Sequence, residues 1–223
     1  MKNRHLLLSL IVLAFTFTLS AQEKGTFTDA RDGRNYRTVK IGSQTWMAEN
    51  LQAAEYRNGD PIPNVTINAK WIELQSGAWC EFGNSPENGK IYGKLYNYYA
   101  VRDPRGIAPE GWHVPTAAEW QVLLDFLGGA VEAGGKLKEA GTAHWAAPNA
   151  GATNEAAFSS LPGGCCYGGM EQFYDLGKIG YFWTSTPADG SDAAHRIMYN
   201  HNNSVASYNG NRRVGYSVRC VKD

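Results

Sequence analysis

The chain has 223 residues, with 21 Lys plus Arg balanced by 21 Asp plus Glu. That balance gives no electrostatic pull toward nucleic acid or an anionic membrane surface. The length can bury a sizeable core, and no Pro/Ser-rich linker or low-complexity tract divides it, so a single domain is expected.

The first segment reads as an export signal. Lys2 and Arg4 form a basic start, Leu6 to Leu19 is an uncharged apolar run, and Ser20-Ala21 supplies small residues before Gln22. The run is shorter than the roughly 20 residues of a membrane span. No cysteine follows it, which argues against a lipid anchor. The expected division is residues 1–21 as signal peptide and residues 22–223 as the mature domain. Taking Lys2 and Arg4 from the 21 basic side chains leaves 19 against 21 acidic ones. The expected location is secreted (extracellular, outer surface or periplasm), with no membrane span after cleavage.

In the mature chain, Asp32-Gly33 is a turn signal ahead of an alternating strand, Tyr36 to Ile41. Gly42-Ser43 then turns the chain into a second strand, Gln44 to Met47, giving an N-terminal hairpin. Asp29 and Asp32 lack the ligand spacing of a calcium loop and read as turn chemistry. Residues 52–92 are turn-rich and read as loops pinned by Trp71, Trp79 and Phe82. Leu95 to Val101 fits either a strand or a short helix on periodicity.

Pro115-Thr116-Ala117-Ala118-Glu119 contains T-x-x-E, the capping-box pattern. Trp120, Leu123, Leu124 and Leu127 then recur at helical spacing until Gly128-Gly129 ends the run. A second helix is expected over Gly135 to Ala140. Tyr181 to Thr186 and Arg196 to Tyr199 read as strands. Val214, Tyr216, Val218 and Cys220 alternate with Arg213, Gly215, Ser217 and Arg219, which predicts a half-buried C-terminal strand. The fold class is therefore α+β, with few helices, short antiparallel strands and long loops.

Four cysteines remain, Cys80, Cys165, Cys166 and Cys220, and they allow two disulfides in three connectivities. Bridging the adjacent Cys165 and Cys166 would strain the backbone, so long-range pairs or free buried thiols are the open readings. No C-x-x-C spacing is present.

Seven blocks in order carry a family resemblance: DGRNYRTVKIGSQTWMAENL, YGKLYNYYAV, PEGWHVPTAAEW, GGKLKEAG, FSSLPGG, FWTST and GYSVRCVKD. Together they resemble the Fibrobacter succinogenes major paralogous domain, from about Thr28 to Asp223. The resemblance implies a secreted or surface protein of Bacteroidota or Fibrobacter type. It also implies kinship with the C-type lectin-like fold of formylglycine-generating and sulfatase-modifying enzymes. There a P-T-x-x-E-W block, here Pro115 to Trp120, opens a helix and an R-C block, here Arg219-Cys220, closes the last strand. Family members often carry a cysteine where this chain has Ala108. Cys220 is therefore expected to be reduced or to pair elsewhere, a Cys80–Cys166 bridge with free Cys220 being one such arrangement.

His113, His144, His195 and His201 show no H-E-x-x-H or H-x-H spacing, and neither metal nor cofactor is expected. His113 is expected to bond loop backbone and to lack a chemical partner. There is no G-x-S-x-G elbow, and the adjacent Cys165-Cys166 do not match a two-cysteine oxidase site. Seven tryptophans, twelve tyrosines and the Asn-rich stretches Tyr199 to Ser204 and Tyr208 to Arg212 suit a binding surface. Aromatic faces stack on sugar rings, and Asn amides both donate and accept. The expectation is a non-catalytic module for carbohydrate or a cell-surface protein partner, with Trp183, His195, Arg196, Asn202 and Tyr208 as candidate ligand residues. An enzyme of the formylglycine-generating kind and a structural or adhesin component are the alternatives. Most tryptophans, Trp112 and Trp120 included, are expected in the core.

Overall fold

A computed structural model describes residues 22–168 and 172–223. The expected signal peptide lies outside the described residues. Among those described, no helix is long and apolar enough to cross a membrane.

The chain opens with three antiparallel strands, Lys24–Thr28 (β1), Asn35–Ile41 (β2) and Gln44–Met47 (β3). Between β1 and β2, Gly33 sits at φ 71°, and its amide donates to the Asp29 carbonyl. The carboxylate of buried Asp29 is taken by Arg31 at 2.7 Å, and that of Asp32 by the Arg34 amide, so both serve the turn. The alternation in β2 buries Val39 and Ile41 on one face, and Tyr36 is buried on the other.

The turn-rich region holds more regular structure than its composition predicts. It contains Asn68–Trp71 (α1), Trp79–Cys80 (β4), a 3₁₀ turn at Phe82–Asn84 and Pro86–Tyr92 (α2). Ser85 caps α2 and Pro86 occupies its first turn, a start signal legible in Ser85-Pro86-Glu87. The ambiguous Leu95–Val101 segment is both things at once. Leu95–Tyr96 (β5) pairs with β4, and Tyr98–Val101 (α3) follows. Asn97 divides them, because its side chain accepts from the Ala100 amide and starts the helix.

Trp112–His113 (β6) leads into Ala117–Phe126 (α4). The capping box is complete: the Glu119 amide donates to Thr116 Oγ1 at 3.1 Å, and the Thr116 amide donates to Glu119 Oε2 at 2.7 Å. Such a cap contributes about 1 kcal/mol. The buried face of α4 packs Trp120 against Trp46, Phe158 and Phe182, with ring centroids 5.1 to 5.9 Å apart.

The next helix is Ala130–Leu137 (α5), earlier than the expected Gly135–Ala140. Lys138 leaves helical geometry because its fully buried ammonium reaches three carbonyls, of Ala150, Tyr199 and Asn202, at 2.9 to 3.0 Å. Gly134 and Gly135 are small for packing reasons, since a Cβ there would meet the Asn203, Ser204 and Gly151 carbonyls.

Two short strands, Cys165–Cys166 (β7) and Phe173–Tyr174 (β8), precede three longer ones. Ile179–Pro187 (β9), Asp192–Tyr199 (β10) and Val205–Asn211 (β11) form an antiparallel sheet with β10 in the centre. The stretch Tyr208 to Asn211, expected as an Asn-rich loop, is therefore strand. Its side chains alternate across a sheet edge, and Ala193 pairs with Gly210.

The C-terminal segment departs most from expectation. It is a seam rather than a half-buried strand, because Val214 and Tyr216 to Val221 are all buried. Gly215 bridges to Cys166 of β7, Tyr216 to Tyr96 of β5, and Ser217 to Phe182 of β9. Val221–Lys222 (β12) then sits between β3 and β6, completing a five-stranded sheet in the order β1-β2-β3-β12-β6. One strand of chain thus ties together all four sheets of the described residues, which is why neither of its faces meets solvent. The architecture is α+β with short antiparallel sheets.

All four cysteines are buried thiols. Cys165 and Cys220 lie in the largest core cluster. Cys80 and Cys166 share a smaller one with Trp71 and Leu95, where their thiols are neighbours.

Candidate functional site

The alternation of β9 and β10 sorts their side chains onto two faces. Phe182, Met198 and Val205 point into the core beneath α4 and α5. Tyr181, Trp183, Ala193, His195, Ile197 and Tyr199 point the other way. Together with Tyr208 and Gly210 of β11, Tyr216 of the seam and Tyr167 beside β7, this second face forms a concavity of about 510 Å³.

Its floor is a stack of rings. Tyr181 and Tyr216 lie parallel at 4.8 Å, and His195 packs on Tyr216 at 4.8 Å. Trp183 closes the stack from below, edge-on to His195 at 5.7 Å, with its indole N–H donated to the Tyr96 carbonyl. Tyr167 and Tyr208 stand exposed at the rim. Asp192, Asn209 and Asn211 supply the polar edge, and no Lys or Arg is among the described residues that line the wall.

His195 is 3 % exposed, and its Nδ1 has no hydrogen-bond partner among the described residues. Burial pulls its pKa down to about 4, an effect that the nearby Ala193 carbonyl only partly offsets. The ring is therefore neutral at physiological pH. A polar nitrogen buried without a partner costs free energy that a ligand hydroxyl could recover. Gly210 lets the strand pack directly on this ring: a Cβ there would stand 3.0 Å from His195 Cε1 and 3.2 Å from both Nδ1 and the Tyr216 hydroxyl. Its backbone is ordinary strand, so close approach and not φ explains the glycine.

The hydroxyls of Tyr181, Tyr199 and Tyr216 stay protonated. Burial and the hydrogen bond to Asp175 at 2.8 Å both raise the Tyr181 pKa. Burial, then the neighbouring Tyr208, raises that of Tyr199. The surface thus offers neutral aromatic faces, hydroxyl groups and amides.

Of the five residues expected to meet a ligand, His195 and Tyr208 line this concavity and Trp183 supports its floor. Arg196 lies on the opposite face of β10, buried, with its guanidinium donated to the Ala117 carbonyl at 3.0 Å. Period-2 alternation forces that separation, since adjacent strand residues cannot share a face. Asn202 sits in the β10–β11 turn, where its side chain accepts from the Ser204 amide and hydroxyl. Tyr181, Tyr199 and Tyr216 belong to the wall although no motif marks them. The period-2 pattern Tyr181-Trp183 and Ala193-His195-Ile197-Tyr199 is the signal that places the first two there.

His113 also differs from expectation. Its Nδ1 is 2.6 Å from Asp223 Oδ1 and its Nε2 is 2.7 Å from Glu119 Oε1, so it has two carboxylate partners. The β6–β12 pairing and the α4 cap bring these groups together from distant positions. Burial lowers the His113 pKa, but the two hydrogen bonds and the carboxylate charges outweigh it and leave it raised. Both ring nitrogens are occupied, and the second oxygen of Glu119 is held by the Thr116 amide and hydroxyl. The cluster ties the start of α4 to the C-terminal strand.

No curated protein and no solved structure shows significant similarity to the chain. The profile of the Fibrobacter succinogenes major domain, however, matches residues 39–222, which include the α4 cap, the tyrosine concavity and the seam, and the chain belongs to that family.

Proposed function

We propose that the chain is an exported, non-catalytic carbohydrate-binding module and that the concavity over β9–β11 is its sugar platform. The observation that carries this reading is the pairing of exposed aromatic faces with a buried, partnerless His195 nitrogen at the base of an open pocket. Sugar rings offer apolar C–H faces to aromatic rings and hydroxyls to amides and imidazole. Among the described residues the wall carries no Lys or Arg, which favours neutral sugars over acidic ones. Kinship with the C-type lectin-like fold is part of the proposal. It is supported by the helix opened at Thr116 and by the closing strand that follows Arg219-Cys220.

A glycan array probed with residues 22–223, with and without calcium, tests the reading. Binding to neutral glycans is the expected result. A blank array in both conditions would remove the carbohydrate assignment and turn attention to a surface protein as the partner.

A further inference from the structure

One fully buried cation, Arg219, has no anion of its own among the described residues. Arg219 is fully buried and donates to Asn50 Oδ1 at 2.6 and 3.1 Å, and to the carbonyls of Phe158 and Ser159. Its guanidinium lies 4.3 Å from the centre of the Phe158 ring. These partners satisfy its hydrogen bonds but leave its charge uncompensated. Burial brings its pKa down to about 9, and Glu49 offsets only part of that. Glu49 is itself committed, accepting from the Arg37 amide at 2.8 Å and its guanidinium at 3.1 Å. An uncompensated buried charge is costly.

Asn50 and Ser159, the partners of Arg219, also line a second cavity of about 390 Å³. It opens between β2, the loop after β3, the end of α2 and the chain from Glu139 to Leu161. Arg219 therefore lies one side-chain layer beneath it. Arg34 and Lys90 stand exposed at its edge, with no carboxylate within 4.0 Å among the described residues. The two carboxylates in its lining are both engaged, Glu49 by Arg37 and Glu139 by His144 at 2.8 Å.

One wall of this cavity is held in an unfavourable backbone. Asn154, Ala157 and Ser159 have φ of 53° to 54°, in the left-handed region that Ala and Ser avoid. Reciprocal bonds between Asn154 and Ser159, at 2.8 and 3.0 Å, fix the loop, and Arg219 grips its carbonyls from inside. Hydrogen bonds within the protein thus hold this wall.

We propose that this second cleft is an oxyanion site, which takes the carboxylate or sulfate of an acidic ligand between Arg34 and Lys90, above the buried charge of Arg219. It is separate from the tyrosine concavity and opposite to it in charge preference. Guanidinium and ammonium groups are the usual partners of such oxyanions.

Calorimetric titration of residues 22–223 at low ionic strength with sodium sulfate, sodium glucuronate and glucose, against matched chloride, tests the site. One or both acids should bind and glucose should not compete. The acid that binds identifies whether the natural group is a sulfate ester or a carboxylate. The double variant Arg34→Gln/Lys90→Gln, altered only at exposed positions, should keep the wild-type melting temperature and lose at least tenfold in affinity for the acid. Tyr208→Ala should bind the acid unchanged, which separates this cleft from the sugar platform. No acid binding above matched chloride, or equal binding by the double variant, overturns the proposal.

Discussion

The imidazole of His113 bridges Glu119 and Asp223, with 2.7 Å to the first carboxylate and 2.6 Å to the second. Glu119 is thereby both the cap of α4 and the anchor of the C-terminal strand. The pKa of His113 is raised from 6.5 and that of Glu119 is lowered from 4.5. For Glu119, burial alone would raise the pKa, but the bonds from Thr116 and His113 outweigh it.

These directions fix the pH dependence. A raised imidazole pKa gives stability that is complete below 6.5 and is lost as pH climbs through the folded value. A lowered carboxyl pKa gives stability that is complete above 4.5 and is lost as pH falls through the folded value. The cluster should therefore contribute most between about pH 4.5 and 6.5. Partial exposure screens it, so the contribution is about 1 kcal/mol or less. Melting temperatures of wild type and His113→Gln across pH 4 to 9 should differ most inside that window and converge above it. A constant difference at every pH would mean that His113 acts through packing alone.

Cys80 and Cys166 are paired as thiols, and burial followed by this contact pushes the Cys80 thiol well up. In an oxidising compartment the pair can give two electrons and two protons to a disulfide oxidant and close a loop of roughly 85 residues. A loop of that length stabilises by about 4 kcal/mol in the chain-entropy picture. Alkylation under denaturing, non-reducing conditions of protein exported to the periplasm should label Cys165 and Cys220 alone. Four labelled thiols would show that the contact stays reduced.

The sequence shows local structure better than it shows the meeting of distant parts. Thr116 and Glu119 announce their own cap because both groups lie within one turn. Gly42-Ser43 announces a hairpin for the same reason. The C-terminal segment is different: its alternation is visible, but its burial on both faces depends on bridges to Cys166, Tyr96 and Phe182, which no local pattern contains. His113 is a second case, since Asp223 lies 110 positions away. At the candidate site, the strand alternation that unites His195 with Tyr181 is legible, and the same alternation sends Arg196 to the far side. Tyr216 joins them only through the seam.

Tyr208 is 55 % exposed at the rim of the concavity, and Gly210 packs against His195 in its wall. Tyr208→Ala should weaken sugar binding about tenfold, since one aromatic face contributes on the order of 1 kcal/mol. Gly210→Val should abolish binding by pushing His195 and the Tyr216 hydroxyl out of place. Isothermal titration with whichever glycan the array identifies reads both effects. Full affinity in Gly210→Val would place the sugar elsewhere, provided that circular dichroism shows the variant folded.

Lys138 sets a last test, on stability. Its ammonium is the common donor to Ala150, Tyr199 and Asn202, so it fixes the loop after α5, the end of β10 and the β10–β11 turn at one point. Burial lowers its pKa to about 8, and the three carbonyl bonds use all its donors. Replacing it with Met keeps most of the apolar stem but strands three buried acceptors, each worth about 1–3 kcal/mol when unpaired. Lys138→Met should therefore lose more than about 2 kcal/mol in denaturant unfolding. The loss should fall on the β10–β11 turn first, seen as faster amide exchange at residues 200–204 than in wild type. Because Tyr199 carries part of the concavity wall, the variant should also bind the glycan more weakly than its fraction folded predicts. Wild-type exchange at that turn would show that Lys138 serves the α5 terminus alone.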